Sequence, residues 1–211
     1  MPLHQTITAN PNTEVFVWKI TESYEQLLSE VRLNDRNAAR LLNMKSEMHR
    51  RGFLSVRKLL QETGYSDFDL YYDEFGKPHL HDGRHISITH SHEFSAIVYS
   101  GANIGIDMEK QREKILIIAD KFTAPQEESY LDKNNVDDYI RKLTVIWGAK
   151  EAIFKIQNEI GISFKDHIKL LPFEIADKTA TAILEFNGME KHFTVNIVEI
   201  ENFTLVYVTE K

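Results

Sequence analysis

The stretch Ile104-Gly105-Ile106-Asp107-Met108-Glu109 places apolar residues and acids at alternating positions. Because successive side chains of a β-strand point to opposite faces, a strand here puts Ile104, Ile106 and Met108 on one face and both carboxylates on the other. The solvated face of an edge strand would show the same alternation, and for this motif alone that is the ordinary explanation. In either case, Asp107 and Glu109 place two carboxylates on the same face of the strand.

A second motif, with helical spacing, is Trp147-Gly148-Ala149-Lys150-Glu151-Ala152-Ile153-Phe154-Lys155. Trp147, Glu151 and Lys155 fall at successive i,i+4 steps, so one side of a helix carries a third carboxylate together with a cation. Glu151 and Lys155 also fit an ordinary surface pair worth about 0.2–0.5 kcal/mol. The two motifs in this order are far more specific than either one alone.

Three acids held close together are costly, because like charges raise one another's pKa unless a proton or a cation neutralises them. Mg²⁺ is the natural candidate, since it takes oxygen ligands and is usually held by one or two carboxylates together with substrate phosphates. Lys155, one turn from Glu151, would then neutralise phosphate oxygens as a point charge. The two motifs therefore predict a divalent-metal site that suits a pyrophosphate, and hence an enzyme.

Composition narrows the class of protein. At 211 residues, with 42% hydrophobic and 27% charged residues, the chain fits one large or two small ordinary globular domains. The net charge of −7 argues against nucleic acid as a general partner. No apolar run approaches the roughly 18 residues of a membrane span, and the first residues lack the features of a signal peptide. Since the chain also has no cysteine, we expect a cytoplasmic protein with no membrane partner.

Hydrophobic periodicity elsewhere predicts helices and strands together, which gives an α+β fold. After a start at 8–12 that suggests flexibility, the first half has predicted strands at 15–20, 68–72, 86–89, 94–99 and 104–109 and helices at 23–43 and 46–63. The second half has predicted helices at 115–119, 126–131 and 136–157 and strands at 168–171, 181–186, 192–199 and 203–208. The strand at 104–109 is expected to pair with a strand that is near in sequence.

A weak internal repeat relates the two halves. The segment 86–99 can be laid on 195–208, so that Phe94 matches Phe203 and Ile86 matches Val195. Short hairpins resemble one another by chance, but this match favours two similar α+β lobes. In the same register His90 faces Glu199, so only one lobe carries the histidine.

The two motifs together resemble the 4′-phosphopantetheinyl transferases, and within them the surfactin-synthetase-activator (Sfp-like) group. The family pattern is a G-[IV]-D-x-E strand followed by a W-x-x-K-E-[AS]-x-x-K helix, which Gly105–Glu109 and Trp147–Lys155 match. Further matches are Gly76-Lys77-Pro78, the strand Ile86-Ser87-Ile88-Thr89-His90-Ser91, the pair His49-Arg50 and the Glu-rich segment 122–131. The resemblance runs from about residue 49 to residue 155.

The resemblance implies two pseudo-duplicated lobes, each an antiparallel sheet packed with helices. Residues 1–102 would form the N-terminal lobe and residues 103–211 the C-terminal lobe, with the active site at the lobe interface. A chain that carries its own complete site has no need to pair, so we expect a monomer.

The resemblance also implies the reaction. The family transfers the 4′-phosphopantetheine arm of coenzyme A to a serine of an apo acyl, peptidyl or aryl carrier protein and releases adenosine 3′,5′-bisphosphate, as in a holo-[acyl-carrier-protein] synthase. Because the nucleophile belongs to the carrier, the enzyme needs no Ser-His-Asp arrangement of its own. Which carrier and which pathway are served, among fatty acid, polyketide, nonribosomal peptide and lysine systems, stays open.

Carried over residue by residue, the resemblance implies Asp107, Glu109 and Glu151 as ligands of Mg²⁺, with Mn²⁺ as the alternative metal. Lys155 would contact the coenzyme A phosphates. Glu151 is also the first choice for the group that accepts the serine proton. A separate acid is an alternative, and the Glu127-Glu128 pair lies where the family often has another functional glutamate.

For the nucleotide end of coenzyme A, the resemblance implies His90, with its neighbour Thr89, and Arg50 as residues that bind the 3′-phosphate. Lys77 would lie at the adenine-nucleotide end. The Glu127-Glu128 pair is expected on a helix surface, where solvated carboxylates are the ordinary outcome.

A carrier protein that is acidic around its serine would have to dock on a local basic or apolar surface. The candidate residues for this contact lie next to the metal strand and are Met108, Lys110, Arg112, Lys114 and Lys121.

Three other interpretations compete with a transferase. The acidic cluster would also suit a metal-dependent phosphohydrolase or nuclease, for which water is the acceptor. A protein that binds coenzyme A or a carrier without chemistry would keep the fold, although its intact acids and Lys155 argue against it. Finally, the nearby His79, His81 and His85 could suggest zinc, but they surround a turn and lack a helical HExxH pattern.

Overall fold

The computed structural model describes residues 3–211. The chain divides into two compact units, with the boundary between Ala102 and Asn103. Both units combine antiparallel sheets with helices, so the predicted α+β class is confirmed. Among the described helices, none is both long enough and apolar enough to cross a membrane. The location of the active site at a lobe interface stays a prediction.

The N-terminal unit contains six strands and three helices in its described part. In chain order they are β1 (Leu3–Asn10), β2 (Thr13–Lys19), α1 (Tyr24–Glu30), α2 (Asp35–Asn43), α3 (Glu47–Glu62), β3 (Leu70–Tyr72), β4 (Pro78–Leu80), β5 (His85–Ser91) and β6 (Phe94–Ser100). Four of the strands form an antiparallel sheet in the order β1-β2-β6-β5, and β3 and β4 form a separate two-stranded sheet. The amphipathic helix α3 buries Phe53, Leu54 and Leu60 in the core of this unit.

The C-terminal unit is a five-stranded antiparallel sheet against which one long helix packs. Its elements are β7 (Ile104–Lys110), a 3₁₀ turn (Glu113–Ile117), α4 (Ala119–Phe122), α5 (Pro125–Glu128), α6 (Val136–Gln157), α7 (Phe164–His167), β8 (Ile168–Leu170), a second 3₁₀ turn (Ile175–Asp177), β9 (Thr179–Phe186), β10 (Met189–Ile200) and β11 (Phe203–Glu210). The strand order is β7-β11-β10-β9-β8. Helix α6 packs on β7 and β11 and buries Leu143, Ile146 and Ile153.

The structure corrects three of the predicted elements. Residues 8–12 do not form a flexible start, because most of that stretch belongs to β1, an edge strand whose exposed, polar side chains hide the period-two pattern. The single helix predicted at 23–43 is two helices, since Asn34 caps α2 and is itself held by Asp67. Strand β7 pairs with β11 rather than with a strand near in sequence.

The two hairpins behind the weak repeat are both present. In the N-terminal unit β5 pairs with β6, and Ile88 lies opposite Ile97. In the C-terminal unit β10 pairs with β11, and Ile197 lies opposite Val206. Each unit therefore contains an antiparallel hairpin at the positions that the repeat relates.

Gly105 allows β7 to approach α6 closely. A Cβ atom at this position would lie 2.7 Å from the carbonyl carbon of Ala152 and would overlap the carbonyl oxygen of the same residue. Both atoms belong to the α6 backbone, which cannot move aside as a flexible side chain could. The contact therefore requires glycine, and it brings Asp107, two residues further along β7, next to the helix.

A buried ion pair fixes another side of α6. The Lys150 ammonium is fully buried and lies 2.6 Å from Glu127 Oε2 in α5. It also donates to the carbonyls of Phe122 (2.7 Å) and Phe164 (3.0 Å). Glu127 in turn accepts hydrogen bonds from backbone amides at the start of α5 and in β8, at 2.7 and 2.9 Å. Burial lowers the pKa of Lys150, and the Glu127 carboxylate opposes that change, so the pair holds α5, α6 and β8 together.

Replacing Gly105 with alanine should lower the free energy of unfolding by about 3 kcal/mol or more, because the α6 backbone must shift to make room for the new methyl group. Urea denaturation followed by circular dichroism measures the change. Gly101→Ala is the matched control, since a Cβ there would only touch the Asn12 side chain at 3.6 Å. Similar losses for the two variants would contradict the close packing of β7 on α6.

Replacing Glu127 with alanine should lower the free energy of unfolding by about 3–5 kcal/mol, because the Lys150 ammonium is left buried without its counter-charge. Glu128→Ala should cost less than about 1 kcal/mol, since Glu128 pairs with Lys133 at the surface. The same denaturation measurement compares the two neighbours. Equal effects would show that Glu127 does not carry the network.

Candidate active site

Two of the predicted site residues meet directly in the C-terminal unit. Lys155 Nζ on α6 lies 2.8 Å from Asp107 Oδ1 on β7 and donates at 2.8 Å to the carbonyl of Ile106. The Asp107 side chain is 8% exposed and that of Lys155 is 31% exposed. Asp107 is therefore not on a solvated strand face, and Lys155 reaches across to the sheet instead of forming a simple surface pair along its own helix.

Glu151 completes this group. Burial raises the pKa of Glu151, and the nearby Asp107 charge raises it further, while Lys155 partly offsets both. These effects place Glu151 within electrostatic reach of both other residues. A carboxyl group held in this way takes up a proton or a cation more readily than an exposed glutamate does.

Gly148 makes room for the Asp107 carboxylate. A Cβ atom at Gly148 would lie 3.0 Å from Val206 Cγ2 and 3.6 Å from Asp107 Oδ2. The α6 backbone therefore passes close to the carboxylate, and a larger side chain would press on it. No role was predicted for Gly148 from the sequence. The signal for it is a small residue that lies three positions before Glu151, on the same side of the helix.

Glu109 is the third carboxylate of the predicted metal site. It lies two residues beyond Asp107 on β7, opposite Thr204 of β11, and is half-buried. Across residues 3–211, no group of three or more His, Asp or Glu side chains is close enough to hold a metal ion. The structure thus gathers Asp107, Glu151 and Lys155, and it does not gather Asp107, Glu109 and Glu151 into a three-ligand cluster.

The donor set nevertheless fits a magnesium ion. Asp107 and Glu151 offer carboxylate oxygens, and one or two carboxylates are the usual protein share of a Mg²⁺ shell that substrate phosphates complete. A cation, the Lys155 ammonium, already lies against the Asp107 carboxylate. This contact shows that the carboxylate can take a positive charge at short range in its half-enclosed setting.

His90 and Thr89 lie near the end of β5 in the N-terminal unit. Thr89 is buried, whereas His90 is exposed and lies opposite Ser95 of β6. The His49 ring at the start of α3 is 6.4 Å from the His90 ring, measured between ring centroids. The structure therefore brings the first turns of α3 and the end of β5 close together.

Arg50 is half-buried on α3. Its Nε donates to the carbonyl of Met44 at 2.7 Å, and its guanidinium lies 5.6 Å from the centre of the Tyr24 ring. The hydrogen bond from Nε and the contact with the Tyr24 ring hold the guanidinium in a defined orientation. Its role towards a phosphate stays a prediction.

Lys77 lies in the turn between β3 and β4. Burial lowers the pKa of Lys77, and the Asp73 charge opposes the shift. His79 pairs with Asp73 at 3.0 Å, and the Tyr71 ring stacks against both His79 and His81. The three histidines considered for zinc form no metal cluster within the part of the chain that the structure describes.

Two further expectations are wrong. Glu127 does not lie on a solvated helix surface, because it is completely buried against Lys150. Met108 cannot meet a carrier, because it is 1% exposed on the buried face of β7.

Glu128 is half-buried. Burial raises its pKa, but its contacts with Lys133 and Thr123 outweigh that effect and lower the pKa. The remaining basic candidates, Lys110, Arg112, Lys114 and Lys121, are half-buried or exposed.

Trp147 of the helix motif has a packing role. Its ring meets Phe122 edge-on at 5.1 Å and Phe164 at 5.6 Å, measured between ring centroids. The backbone carbonyls of the same two phenylalanines bind Lys150. The tryptophan therefore helps to fix the rotation of α6, and with it the direction of Glu151 and Lys155.

Comparisons with known proteins identify the family of this chain. A family model for the 4′-phosphopantetheinyl transferase superfamily matches residues 103–208. The chain is 31% identical over 152 residues to the 4′-phosphopantetheinyl transferase Sfp of Bacillus subtilis (strain 168), and the match covers 67% of this chain and 66% of that protein. It is 28% identical over 149 residues to the 4′-phosphopantetheinyl transferase ffp of Bacillus subtilis, with the same coverage of 67% and 66%.

A third relative is the 4′-phosphopantetheinyl transferase gsp of Aneurinibacillus migulanus, to which the chain is 28% identical over 156 residues, covering 72% of this chain and 62% of that protein. The chain thus spans slightly less than two thirds of the length of these curated relatives. The matched family region begins at residue 103 and contains β7, α6 and the whole Asp107, Glu151 and Lys155 group. The chain therefore belongs to the 4′-phosphopantetheinyl transferase superfamily.

Proposed function

We propose that this protein transfers the 4′-phosphopantetheine arm of coenzyme A to a serine hydroxyl of an apo acyl, peptidyl or aryl carrier protein and releases adenosine 3′,5′-bisphosphate. The observation that carries the proposal is the contact of Lys155 with Asp107, beside Glu151, inside the region that the family model matches. The protein acts as a cytoplasmic monomer in this proposal.

Transfer of a phosphate-linked group asks the enzyme for positioning and for neutralisation of charge on phosphate oxygens. Lys155 has a partly exposed ammonium group, so it can move from Asp107 to the pyrophosphate of coenzyme A and act there as a point charge. The carrier serine must lose its proton as its oxygen bonds to phosphorus. Glu151 accepts that proton in this proposal, since its carboxyl group lies beside Asp107 at the same site.

Mg²⁺ is the proposed metal, with Mn²⁺ as the alternative. Asp107 and Glu151 would hold it, and Glu109 would join them when the phosphates are bound. When bound, the ion supplies Lewis-acid neutralisation of the pyrophosphate oxygens. The exposed end of β5 and the first turns of α3 would hold the nucleotide end of coenzyme A, with His90 and Arg50 on its 3′-phosphate and Lys77 near the adenine nucleotide.

The direct test is intact-mass spectrometry of an apo carrier protein incubated with this protein, coenzyme A and Mg²⁺. We expect the carrier to gain one phosphopantetheine arm, and we expect EDTA to stop the gain and added Mg²⁺ or Mn²⁺ to restore it. Acyl, peptidyl and aryl carriers tested side by side define the partner. If coenzyme A is hydrolysed while every carrier stays unmodified, the protein is a phosphohydrolase instead.

Replacing Glu151 with glutamine should lower the transfer rate by about 100-fold or more, because the proton acceptor and one carboxylate of the site are lost together. The fold should survive, since Glu151 is only half-buried and the change is isosteric. Initial rates of carrier modification measure the effect, with circular dichroism as the check on folding. Asp137→Asn, which changes an exposed carboxylate in the first turn of the same helix, should keep the normal rate. A Glu151→Gln variant with a normal rate would remove Glu151 from the chemistry.

A further inference from the structure

Gly52 is an unfavourable residue for its position. It lies inside α3, in the N-terminal half of the helix. At such a position glycine lowers helix stability relative to alanine, because its backbone loses more conformational freedom on folding. A helical backbone does not need glycine for its own geometry. The reason for Gly52 must therefore lie in what surrounds it.

The His90 ring fills the space that a side chain at position 52 would need. The three heavy atoms nearest to a Cβ built on Gly52 all belong to this ring: Nδ1 at 2.9 Å, Cγ at 3.1 Å and Cε1 at 3.4 Å. The imidazole thus packs directly on the α3 backbone. Any larger residue at position 52 would have to move the ring or the helix.

The helix is held in place at this point. The Ser55 hydroxyl donates to the Gly52 carbonyl at 2.8 Å and lies 2.9 Å from the Ser95 hydroxyl of β6. Ser95 lies opposite His90 in the β5–β6 hairpin, and both serines are completely buried. Phe53, next to Gly52, is also buried in the core of the unit. If a larger residue replaced Gly52, the exposed His90 side chain would therefore move rather than the helix.

We propose that Gly52 is a positioning residue for the His90 imidazole and so controls recognition of the 3′-phosphate of coenzyme A. This inference rests on the proposed function, in which His90 binds that phosphate. The His90 ring packs against the α3 backbone, and it can do so because position 52 has no side chain. Binding of a phosphate by one imidazole depends on where its nitrogen points, so a displaced ring loses the contact.

Replacing Gly52 with alanine should raise the KM for coenzyme A about tenfold, as expected when one hydrogen bond to a charged group is lost. The kcat should change less than about twofold, because the reacting atoms are not touched. With 3′-dephospho-coenzyme A as substrate, the variant should match the wild type. The variant should remain folded, since alanine favours the helix and only the ring has to move.

A double-mutant cycle separates positioning from general damage. His90→Ala removes the ring, so Gly52→Ala added to His90→Ala should cause no further rise in KM. Gly101→Ala is the control for a glycine change in the same unit. An equal KM rise for coenzyme A and 3′-dephospho-coenzyme A, or an equal rise with and without His90, would overturn the inference.

A measurement that needs no catalysis distinguishes failure of this inference from failure of the proposed function. The ¹H–¹³Cε1 resonance of His90, assigned by its loss in His90→Ala, should shift in Gly52→Ala. It should also shift when adenosine 3′,5′-bisphosphate is added to the wild type, and respond less to adenosine 5′-monophosphate. Absence of transfer would refute the proposed function, whereas a His90 resonance unchanged by Gly52→Ala would refute the positioning role.

Discussion

The close contact between β7 and α6 is the constraint on which the site in the C-terminal unit depends. Asp107 lies on the strand, whereas Glu151 and Lys155 lie on the helix, so the three can interact only if the two backbones come close. Gly105 permits this approach at the Ala152 carbonyl. A larger residue there would push the strand and the helix apart, and the 2.8 Å ion pair between Lys155 and Asp107 would open. The glycine of the strand motif is therefore as much a part of the site as its acids.

Neighbouring residues of the helix motif have opposite tasks because they point in different directions. Lys150 points into the unit, where it is satisfied by Glu127 and two backbone carbonyls. Glu151, one residue later, is close enough to Asp107 for that charge to raise its pKa. Two adjacent charged residues thus serve a buried structural network and a candidate active site, because each residue of an α-helix is rotated by about 100° from the one before it. Desolvation of the two buried charges offsets much of their attraction, so removing one partner costs far more stability than the intact pair contributes.

Sequence patterns predicted the elements that have strong local periodicity. The bounds of α6 were predicted at 136–157, and the alternation that predicted β7 also placed Asp107 opposite the apolar face of that strand. Long-range pairing left no such signal, so the partnership of β7 with β11 was not predicted. The burial of Glu127 could not be predicted either, because its counter-charge Lys150 lies on another helix. Steric roles such as that of Gly148 depend on the distance between two elements, which no single stretch of sequence records.

In the proposed function, the charges of Asp107, Glu151 and Lys155 affect how a pyrophosphate can approach the site. If Asp107 and Glu151 are both ionised, two carboxylates and one ammonium give a net negative charge, which would repel the proposed pyrophosphate strongly at short range in a half-buried setting. Lys155 alone cannot serve both Asp107 and a phosphate without leaving one of them unneutralised. The proposed metal ion would supply a second positive charge with the phosphate, and Asp107 and Glu151 would offer it oxygen ligands. The raised pKa of Glu151 has the same physical origin, since burial and the Asp107 charge both disfavour a second negative charge at this place.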